Sequence, residues 1–328
     1  KPKFCHIITS LDIGGAETML LRTVSHKPDL ISNTIVISLT GIGEIGRRLE
    51  EIGVTVIALD IIDWRSAFRS LFVLRKLLDR YQPDLIHTWM YHANLLGGVA
   101  SILAGHRRVV WSIRRSELTR EESLSTYFLM KLGAYLSGLI PKVVVCVAES
   151  GLKNHRKYGY RADNMMVIPN GFDLEKFSRD ESVRECVRRD LRIADNKVVI
   201  GCVGRFHEAK GYSWLIAASV DVIKYEPCVI FLLIGRNVDS KNYQLESWIR
   251  ETGNSSNFVL LGEKTNIAEY MNAMDIFCLP SVTEGFPNVV GEAMACGLPC
   301  VATSVGDVAK VSGDNAILVA PNDTASLS

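Results

Sequence analysis

Short apolar segments alternate with amphipathic segments along the first half of the chain. The apolar segments cover residues 4–9, 34–39, 54–59, 85–88, 109–113, 142–148 and 165–169. Amphipathic patterns with helical spacing occur between them, at 18–24, 46–52 and 67–80. Strands that are apolar on both faces and alternate with helices are typical of a parallel sheet that helices cover on both sides.

The alternation begins again after a polar segment at 172–195, which predicts a linker with one helix and no strand. The second series of strands is predicted at 198–203, 228–234, 258–261, 276–279, 300–302 and 318–320, and its helices at 212–224, 243–252, 268–273 and 289–295. We therefore expect two doubly wound α/β domains, 1–176 and 177–328, that face each other across a cleft. Because Asp323 begins what looks like a further capped helix, we expect the second domain to continue past Ser328.

Composition narrows the class of protein. The 328 residues are 48% hydrophobic and 22% charged, with a net charge of +1 from 37 basic and 36 acidic side chains. This balance argues against nucleic-acid binding, which needs a basic face. The eight cysteines include no CxxC pair and most lie in apolar runs, so we expect buried free thiols in a reducing compartment. We expect no signal peptide, because Lys1-Pro2-Lys3 leads directly into a strand-like segment, and no apolar run of about 18 residues occurs in these 328 residues, so a cytoplasmic location is expected.

Two cations follow the first strand of the second series. Arg205 comes two residues after the strand at 198–203, and Lys210-Gly211 opens the next predicted helix. Ligands of doubly wound sheets bind at the carboxyl ends of the strands. A guanidinium and an ammonium group at that edge suit a nucleotide diphosphate, although a surface arginine and lysine near a helix terminus would give the same pattern.

Two carboxylates flank a loop and a helix start. Glu284 and Glu292 are separated by seven residues that begin with Gly285-Phe286-Pro287-Asn288. Backbone N–H groups of this loop can bind phosphate, while carboxylates accept hydrogen bonds from sugar hydroxyls. The alternative is that Glu292 is a first-turn acid that complements the helix dipole and Glu284 a solvated loop acid.

These motifs together resemble retaining glycosyltransferase family 4. The Glu284-x7-Glu292 pair lies in Pro280-Ser281-x-x-Glu284-Gly285-Phe286-Pro287 and precedes Ala293-Met294-Ala295-Cys296-Gly297. Further similar motifs are Val203-Gly204-Arg205-Phe206 with Lys210-Gly211, Ile168-Pro169-Asn170-Gly171-Phe172-Asp173, and Gly14-Gly15-Ala16-Glu17.

The resemblance implies a GT-B fold, in which the first Rossmann-like domain binds the acceptor and the second binds a UDP- or GDP-sugar donor. It implies that Arg205 and Lys210 hold the diphosphate, Glu284 the transferred hexose-type sugar and Glu292 the ribose. Transfer with retention to a saccharide or lipid-linked acceptor, in bacterial-type surface polysaccharide or glycolipid synthesis, is the expected activity. No metal and no cofactor are expected, because the cations and the helix terminus take the metal's place.

The first domain supplies further candidates. Gly14 and Gly15 follow the first strand, where the resemblance places them opposite the donor phosphate, although a plain turn would also use them. His92 resembles the active-site histidine of the family, and we favour it over His87 because it lies beyond the strand end. Near it, Trp89, Tyr91 and Asn94 are candidates for the acceptor sugar or for the core.

Basic residues in the first domain suggest two further contacts. Arg114 and Arg115 follow the strand at 109–113 and are candidates for an acceptor phosphate, or form a solvated basic loop. The segment 64–78 has Ala67, Phe68, Leu71, Leu74 and Leu78 on one predicted face and basic residues elsewhere. Such a helix either lies on a membrane surface or covers the sheet. Residues 127–140 are a second candidate for such a helix. On the membrane alternative, the protein contacts the cytoplasmic membrane face peripherally.

Competing functions remain open on the sequence. An epimerase or phosphorylase on a similar fold, and a nucleotide-sugar-binding protein without turnover, would share most of these motifs. A dinucleotide-dependent oxidoreductase is disfavoured, because Gly14-Gly15-Ala16-Glu17 lacks the third glycine of the GxGxxG fingerprint.

Overall fold

The computed structural model describes residues 2–62, 64–116 and 124–328, without the side chains of Trp64, Arg65, Ala67 and Leu124. The chain divides into two compact units, Lys1–Asn170 (unit 1) and Gly171–Ser328 (unit 2). The division falls inside the motif at 168–173, so the residues that follow Asn170 belong with unit 2. Phe177, for example, is buried in the core of unit 2.

Unit 1 is built from parallel strands that alternate with helices. Its elements are β1 (Phe4–Ile8), α1 (Gly15–Ser25), α2 (Pro28–Ile31), β2 (Thr34–Ser38), α3 (Gly43–Glu51), β3 (Thr55–Ala58), α4 (Trp64–Tyr81), β4 (Leu85–Trp89), α5 (Met90–Leu103), β5 (Val109–Ile113), α6 (Leu124–Leu136), β6 (Val143–Cys146), α7 (Glu149–Lys157) and β7 (Met165–Val167). The seven strands pair in the order β3-β2-β1-β4-β5-β6-β7. The order changes direction between β1 and β4, which makes this pair the switch point of unit 1.

Unit 2 repeats the same plan. Its elements are α8 (Glu181–Asp190), β8 (Val198–Val203), α9 (Tyr212–Tyr225), β9 (Val229–Ile234), α10 (Tyr243–Glu251), β10 (Phe258–Leu260), α11 (Ile267–Asn272), β11 (Ile276–Leu279), α12 (Asn288–Ala295), β12 (Cys300–Thr303), α13 (Val308–Ser312), β13 (Ala316–Val319) and α14 (Thr324–Leu327). The strands pair in the order β10-β9-β8-β11-β12-β13, so the switch point lies between β8 and β11. The predicted fold class, two doubly wound parallel α/β domains, is confirmed.

Apolar sequence explains why the strands are where they are. Every residue of β2 and of β9 is buried, as expected for strands that helices cover on both faces. The hydrophobic core of unit 1 lies in two layers, one between the sheet and α1 and α3, the other between the sheet and α4, α5 and α6.

The predicted apolar face of α4 is partly wrong. Leu71, Leu74 and Leu78 pack against the sheet as predicted, but the Phe68 side chain is 63% exposed. Phe68 instead contacts Phe72 edge to face, with ring centroids 5.5 Å apart. The side chain of Ala67, also predicted on this face, lies outside the described residues. None of the described helices combines the length and the apolar character needed to cross a bilayer.

All eight cysteines are free thiols, as predicted, and six are buried. Cys186 is exposed and Cys228 is half-buried, so the expectation of burial does not hold for these two. Burial raises the pKa of the Cys5 and Cys202 thiols to about 12, which keeps both protonated at neutral pH.

Candidate functional site

Charged side chains meet at the switch point of unit 2. Lys210 follows β8, and Glu284 lies in the loop between β11 and α12. The Lys210 Nζ atom lies 2.5 Å from Oε1 of Glu284, and the two side chains are 24% and 10% exposed. The two residues are therefore an ion pair at the sheet edge where doubly wound domains bind ligands.

A chain of hydrogen bonds orients the Glu284 carboxylate. The Ser281 hydroxyl donates to Oε1 of Glu284 at 2.7 Å. The Thr303 hydroxyl donates in turn to the backbone carbonyl of Ser281 at 2.5 Å, and both hydroxyl-bearing residues are buried. Oε1 thus receives two hydrogen bonds, while Oε2 of Glu284 has no hydrogen bond within the described residues and is free to accept one from a ligand.

The backbone holds the two halves of this site together. Gly211 has a φ of +66°, and a Cβ atom there would lie 1.9 Å from the carbonyl oxygen of Pro280. Only glycine fits this close approach. The backbone N–H of Val282 donates to the carbonyl of Ala209 at 2.9 Å. The segment with Lys210 and the loop with Glu284 therefore form one rigid edge.

Glu292 lies one turn inside α12, and its residue is 7% exposed. Helix α12 has no acidic residue in its first turn. The alternative interpretation of Glu292 as a first-turn acid that complements the helix dipole is therefore wrong. Burial of a carboxylate raises the free energy of the folded state unless hydrogen-bond donors surround it, so Glu292 requires such donors.

The loop before α12 is fixed from a neighbouring segment. Gly306 has a φ of +55°, and a Cβ atom there would lie 2.2 Å from the carbonyl oxygen of Glu284. The backbone N–H of Asp307 donates to the carbonyl of Gly285 at 3.2 Å. These two contacts fix carbonyl oxygens of the loop, and the N–H groups of Asn288 and Val290 donate within it, to the carbonyls of Phe286 and Pro287.

Arg205 is exposed, two residues after the end of β8. Its position is set by Gly204, whose N–H donates to the carbonyl of Ile234 at 2.9 Å. The aliphatic part of Lys210 lies over Gly204, since a Cβ atom there would be 3.4 Å from Cδ of Lys210. Arg205 and Lys210 therefore flank the same strand end, and the Arg205 guanidinium has no ion-pair partner within the described residues.

The glycine pair of unit 1 begins a helix at the switch point of that unit. Gly14 is the N-cap of α1 in an extended conformation, and Gly15 is the first helical residue. A Cβ atom on Gly14 would lie 2.3 Å from Oε2 of Glu17, so Gly14 leaves room for that carboxylate above the helix N-terminus. An acid in this position complements the helix dipole. The predicted contact of the glycines with a donor phosphate stays a prediction.

His92 and His87 differ in accessibility. His92 is exposed in the first turn of α5, whereas His87 is part of β4 and its Nε2 atom is buried. Partial desolvation lowers the pKa of His92, which is therefore neutral at pH 7. Between them Met90 has a φ of +74°, an unfavourable conformation for a residue with a side chain. Such strain occurs often at functional sites and here turns the chain directly from β4 into α5.

Tyr91 and Asn94 belong to the interior of unit 1. The Tyr91 hydroxyl lies 2.7 Å from Nε2 of the buried His155. Asn94 is 2% exposed and hydrogen-bonds to the Thr88 hydroxyl at 2.6 Å. Of the two predicted alternatives, contact with an acceptor or a place in the core, the structure supports the core.

The two arginines after β5 are both half-buried. Arg114 lies over the Trp89 ring, 4.3 Å from its centroid, and donates to Oδ1 of Asn170 at 2.5 Å. Burial lowers the pKa of Arg114 to about 10. The alternative of a solvated basic loop is wrong for Arg114. Arg115 is half-buried next to it, and a phosphate contact of either arginine stays a prediction.

Sequence reasoning missed the buried neighbours of Arg114. His6 in β1 pairs in register with His87 in β4, and Nδ1 of His6 accepts a hydrogen bond from the Trp89 indole at 3.2 Å. Desolvation lowers the pKa of His6 to about 4 and that of His87 well below its usual value. Histidines at matching positions of two predicted adjacent strands were the available signal. Ser281 and Thr303 were also missed, since hydroxyl residues carry little sequence signal.

Comparisons with known proteins agree with the geometry of both units. The profile described as Glycosyltransferase Family 4 matches residues 13–176, and the profile described as Glycosyl transferases group 1 matches residues 197–328. Within the described residues, no group of three or more histidine, cysteine or acidic side chains is arranged to hold a metal ion.

Individual proteins are similar over much of this chain. The Escherichia coli UDP-Gal:alpha-D-GlcNAc-diphosphoundecaprenol alpha-1,3-galactosyltransferase is 28% identical over 76% of this chain and 64% of its own length. The putative glycosyltransferase EpsF of Bacillus subtilis is 32% identical over 48% of this chain and 40% of its own. The chain thus spans less than two thirds of either relative. Anabaena HepE in complex with UDP-glucose has a TM-score of 0.84 and 23% identity, covering 98% of this chain and 86% of that one.

Proposed function

The chain belongs to glycosyltransferase family 4, and from this membership we propose that it transfers a hexose-type sugar from a UDP- or GDP-sugar to an acceptor hydroxyl. The acceptor is a saccharide or a lipid-linked saccharide of bacterial surface polysaccharide or glycolipid synthesis. The observation that carries the proposal is the Lys210–Glu284 ion pair at the switch point of unit 2, with Arg205 on the same strand end. The names of the relatives support it, since one acts on a diphosphoundecaprenol-linked sugar and another binds UDP-glucose.

Each charged group has a distinct task in this proposal. Lys210 donates to Glu284 with one of its three N–H bonds and keeps two for the donor diphosphate. Arg205 adds a second cation beside the phosphates. Oε2 of Glu284 accepts hydroxyl hydrogen bonds of the transferred sugar, and Glu292 accepts those of the ribose.

The reaction is proposed to retain the configuration at the anomeric carbon. The acceptor oxygen forms a bond to that carbon while the bond from the carbon to the diphosphate oxygen breaks. The acceptor proton passes to the departing phosphate oxygen, on the same face of the sugar. Lys210 and Arg205 stabilise the charge that grows on the leaving group, and the N-terminus of α12 adds the positive end of its helix dipole, so the step needs no metal ion.

The test is ligand binding followed by product analysis. We expect one UDP- or GDP-sugar in a panel to raise the melting temperature, since a ligand at a hundredfold excess over Kd stabilises by about 2.7 kcal/mol. That nucleotide-sugar should then release nucleoside diphosphate only when a saccharide acceptor is present. Conversion of the sugar without an acceptor would identify an epimerase, and binding without any turnover a non-catalytic binding protein. Either result would overturn the proposal.

We also propose that α4 contacts a membrane surface. Phe68, Phe72 and Val73 are 63%, 51% and 44% exposed on this helix, beside the exposed Arg69 and Lys76. Exposed aromatic and basic groups on one helix suit anionic lipid headgroups, where a lipid-linked acceptor would lie. The protein should sediment with vesicles that contain anionic lipid, and Phe68→Ser/Phe72→Ser should not. Tyr225→Ser, at an 87% exposed tyrosine of unit 2, is the matched control.

A further inference from the structure

One aromatic ring touches both parts of the Glu284-x7-Glu292 motif. A Cβ atom on Gly291 would lie 2.1 Å from Cζ of Phe172 and 2.4 Å from Cε1, so the ring tip rests on the backbone of α12. The same ring stacks on Phe286, with centroids 6.1 Å apart and an interplanar angle of 22°. Phe286 lies two residues after Glu284, and Gly291 lies directly before Glu292.

The segment around Phe172 is otherwise exposed. Residues 171 and 173–176 are exposed, whereas Phe172 is half-buried against α12. A turn fixes its backbone, because the N–H groups of Lys176 and Phe177 donate to the side chain and the carbonyl of Asp173. Phe177 then enters the core of unit 2. These contacts fix the position of the Phe172 ring relative to the backbone of α12.

Gly291 explains why the ring can lie there. Glycine inside a helix is unfavourable by comparison with alanine. At this position any side chain would occupy the space of the Phe172 ring. The helix thus accepts a destabilising residue to bring the ring onto its backbone, next to Glu292.

We propose that Phe172 is a positioning residue for donor binding, which sets the spacing between the Glu284 loop and the Glu292 helix. This inference rests on the proposed function. The ring has no polar atom and acts only through Phe286 and Gly291. Without it, the loop loses its stacking partner, and the two carboxylates no longer hold their relative positions.

The first measurement is UDP and GDP affinity of purified variants. Phe172→Ala should raise the Kd of the nucleotide that binds the wild type about tenfold, the scale of one aromatic pair. Phe172→Leu, which keeps apolar contact with Gly291, should recover part of the loss. Leu174→Ala is the matched control, because this side chain of the same segment is 68% exposed. Its Kd should equal that of the wild type.

A double-mutant cycle separates positioning from general loss of structure. Gly291→Ala should weaken binding by expelling the ring in the wild type, but should have little effect in Phe172→Ala, where the space is empty. Equal effects of Gly291→Ala in both backgrounds, or an unchanged Kd in Phe172→Ala, would overturn the inference.

Amide hydrogen exchange keeps this test distinct from the proposed function. Without ligand, exchange at 284–292 should be faster in Phe172→Ala than in the wild type, and unchanged in Leu174→Ala. If the wild type binds no nucleotide, the proposed function fails, while faster exchange still supports the contact role of Phe172. If the wild type binds and exchange at 284–292 is the same in Phe172→Ala, the positioning role fails alone.

Discussion

The two sheets have the same central strand order, but the charged side chains near their switch points have different surroundings. In unit 2, Lys210 and Glu284 form an ion pair that is partly exposed, and Arg205 is exposed beside them. In unit 1, the half-buried Arg114 lies over the Trp89 ring, near two histidines whose pKa desolvation lowers.

This difference shows that the strand order determines where a site can lie, whereas the side chains around it determine what it binds. Both edges carry basic residues after a strand, and sequence reasoning assigned a phosphate contact to each. At the unit 2 edge, the hydrogen bonds to Oε1 of Glu284 leave its Oε2 atom and two N–H bonds of Lys210 for a ligand. At the unit 1 edge the cation stabilises the interior, and the accessible polar groups are others, such as His92.

Removal of charge at the unit 2 edge should have the largest effect. Lys210→Ala and Glu284→Ala should each lower turnover on the order of 10²-fold, as for removal of a group that stabilises developing charge. Initial rates of acceptor-dependent nucleoside diphosphate release measure this. Lys224→Ala, at an exposed lysine of α9, is the control and should keep the wild-type rate. Near-normal turnover of either variant would remove the basis for assigning catalysis to this edge.

The arginines should separate stability from binding. Arg114→Ala uncovers Trp89 and removes one hydrogen-bond donor to Asn170, so we expect a loss of about 2 kcal/mol in the free energy of unfolding. Arg205→Ala removes an exposed side chain and should change stability by less than about 0.5 kcal/mol, while it weakens nucleotide binding. Urea unfolding and nucleotide titration of both variants provide the comparison. Lost stability in Arg205→Ala together with weakened nucleotide binding in Arg114→Ala would contradict both assignments.

The strands could be predicted because buried parallel strands are continuous apolar runs, and β8, β9 and β11 lie close to their predicted positions. Helix α5 was not predicted, since it is buried on most sides and shows no polar stripe. Its Gly97 and Gly98 lie against Ile7 and Trp111, contacts that a sequence does not show.

The candidate site divides in the same way. The motif predicted Lys210 and Glu284 as ligand-binding residues, but their ion pair joins residues 74 positions apart and depends on the strand order. Burial of Tyr91 and Asn94 and the stacking of Arg114 depend on tertiary contacts with His155, Thr88 and Trp89. Local sequence cannot distinguish such residues from ligand contacts, because both kinds follow strand ends.

The neutral histidines of unit 1 predict a pH dependence of stability. The pKa of His6 is about 4 in the folded state, below its usual 6.5, so the unfolded state binds more protons between these values. Stability is therefore complete above pH 6.5 and falls as the pH drops towards 4, by up to about 1.4 kcal/mol per pH unit for each such histidine.

His6→Gln tests this dependence. His87 and the Trp89 indole face His6, and Arg114 in turn acts on His87. A glutamine oxygen can still accept the indole hydrogen bond. The urea midpoint should fall less between pH 7 and pH 5 in His6→Gln than in the wild type. An identical fall would mean that other groups cause the acid sensitivity.

The smallest effect on stability should come from substitution of Tyr91, which lies in the interior of unit 1. Tyr91→Phe removes the hydroxyl that hydrogen-bonds to His155, so unfolding should become easier by about 1 kcal/mol, the usual contribution of one buried hydrogen bond. Tyr135→Phe, at a 74% exposed tyrosine of α6, should leave stability unchanged. Acceptor KM should equal the wild-type value in both variants. A raised acceptor KM with unchanged stability in Tyr91→Phe would place this side chain at a ligand after all, and the unit 1 edge would then resemble the unit 2 edge more closely than the buried cluster suggests.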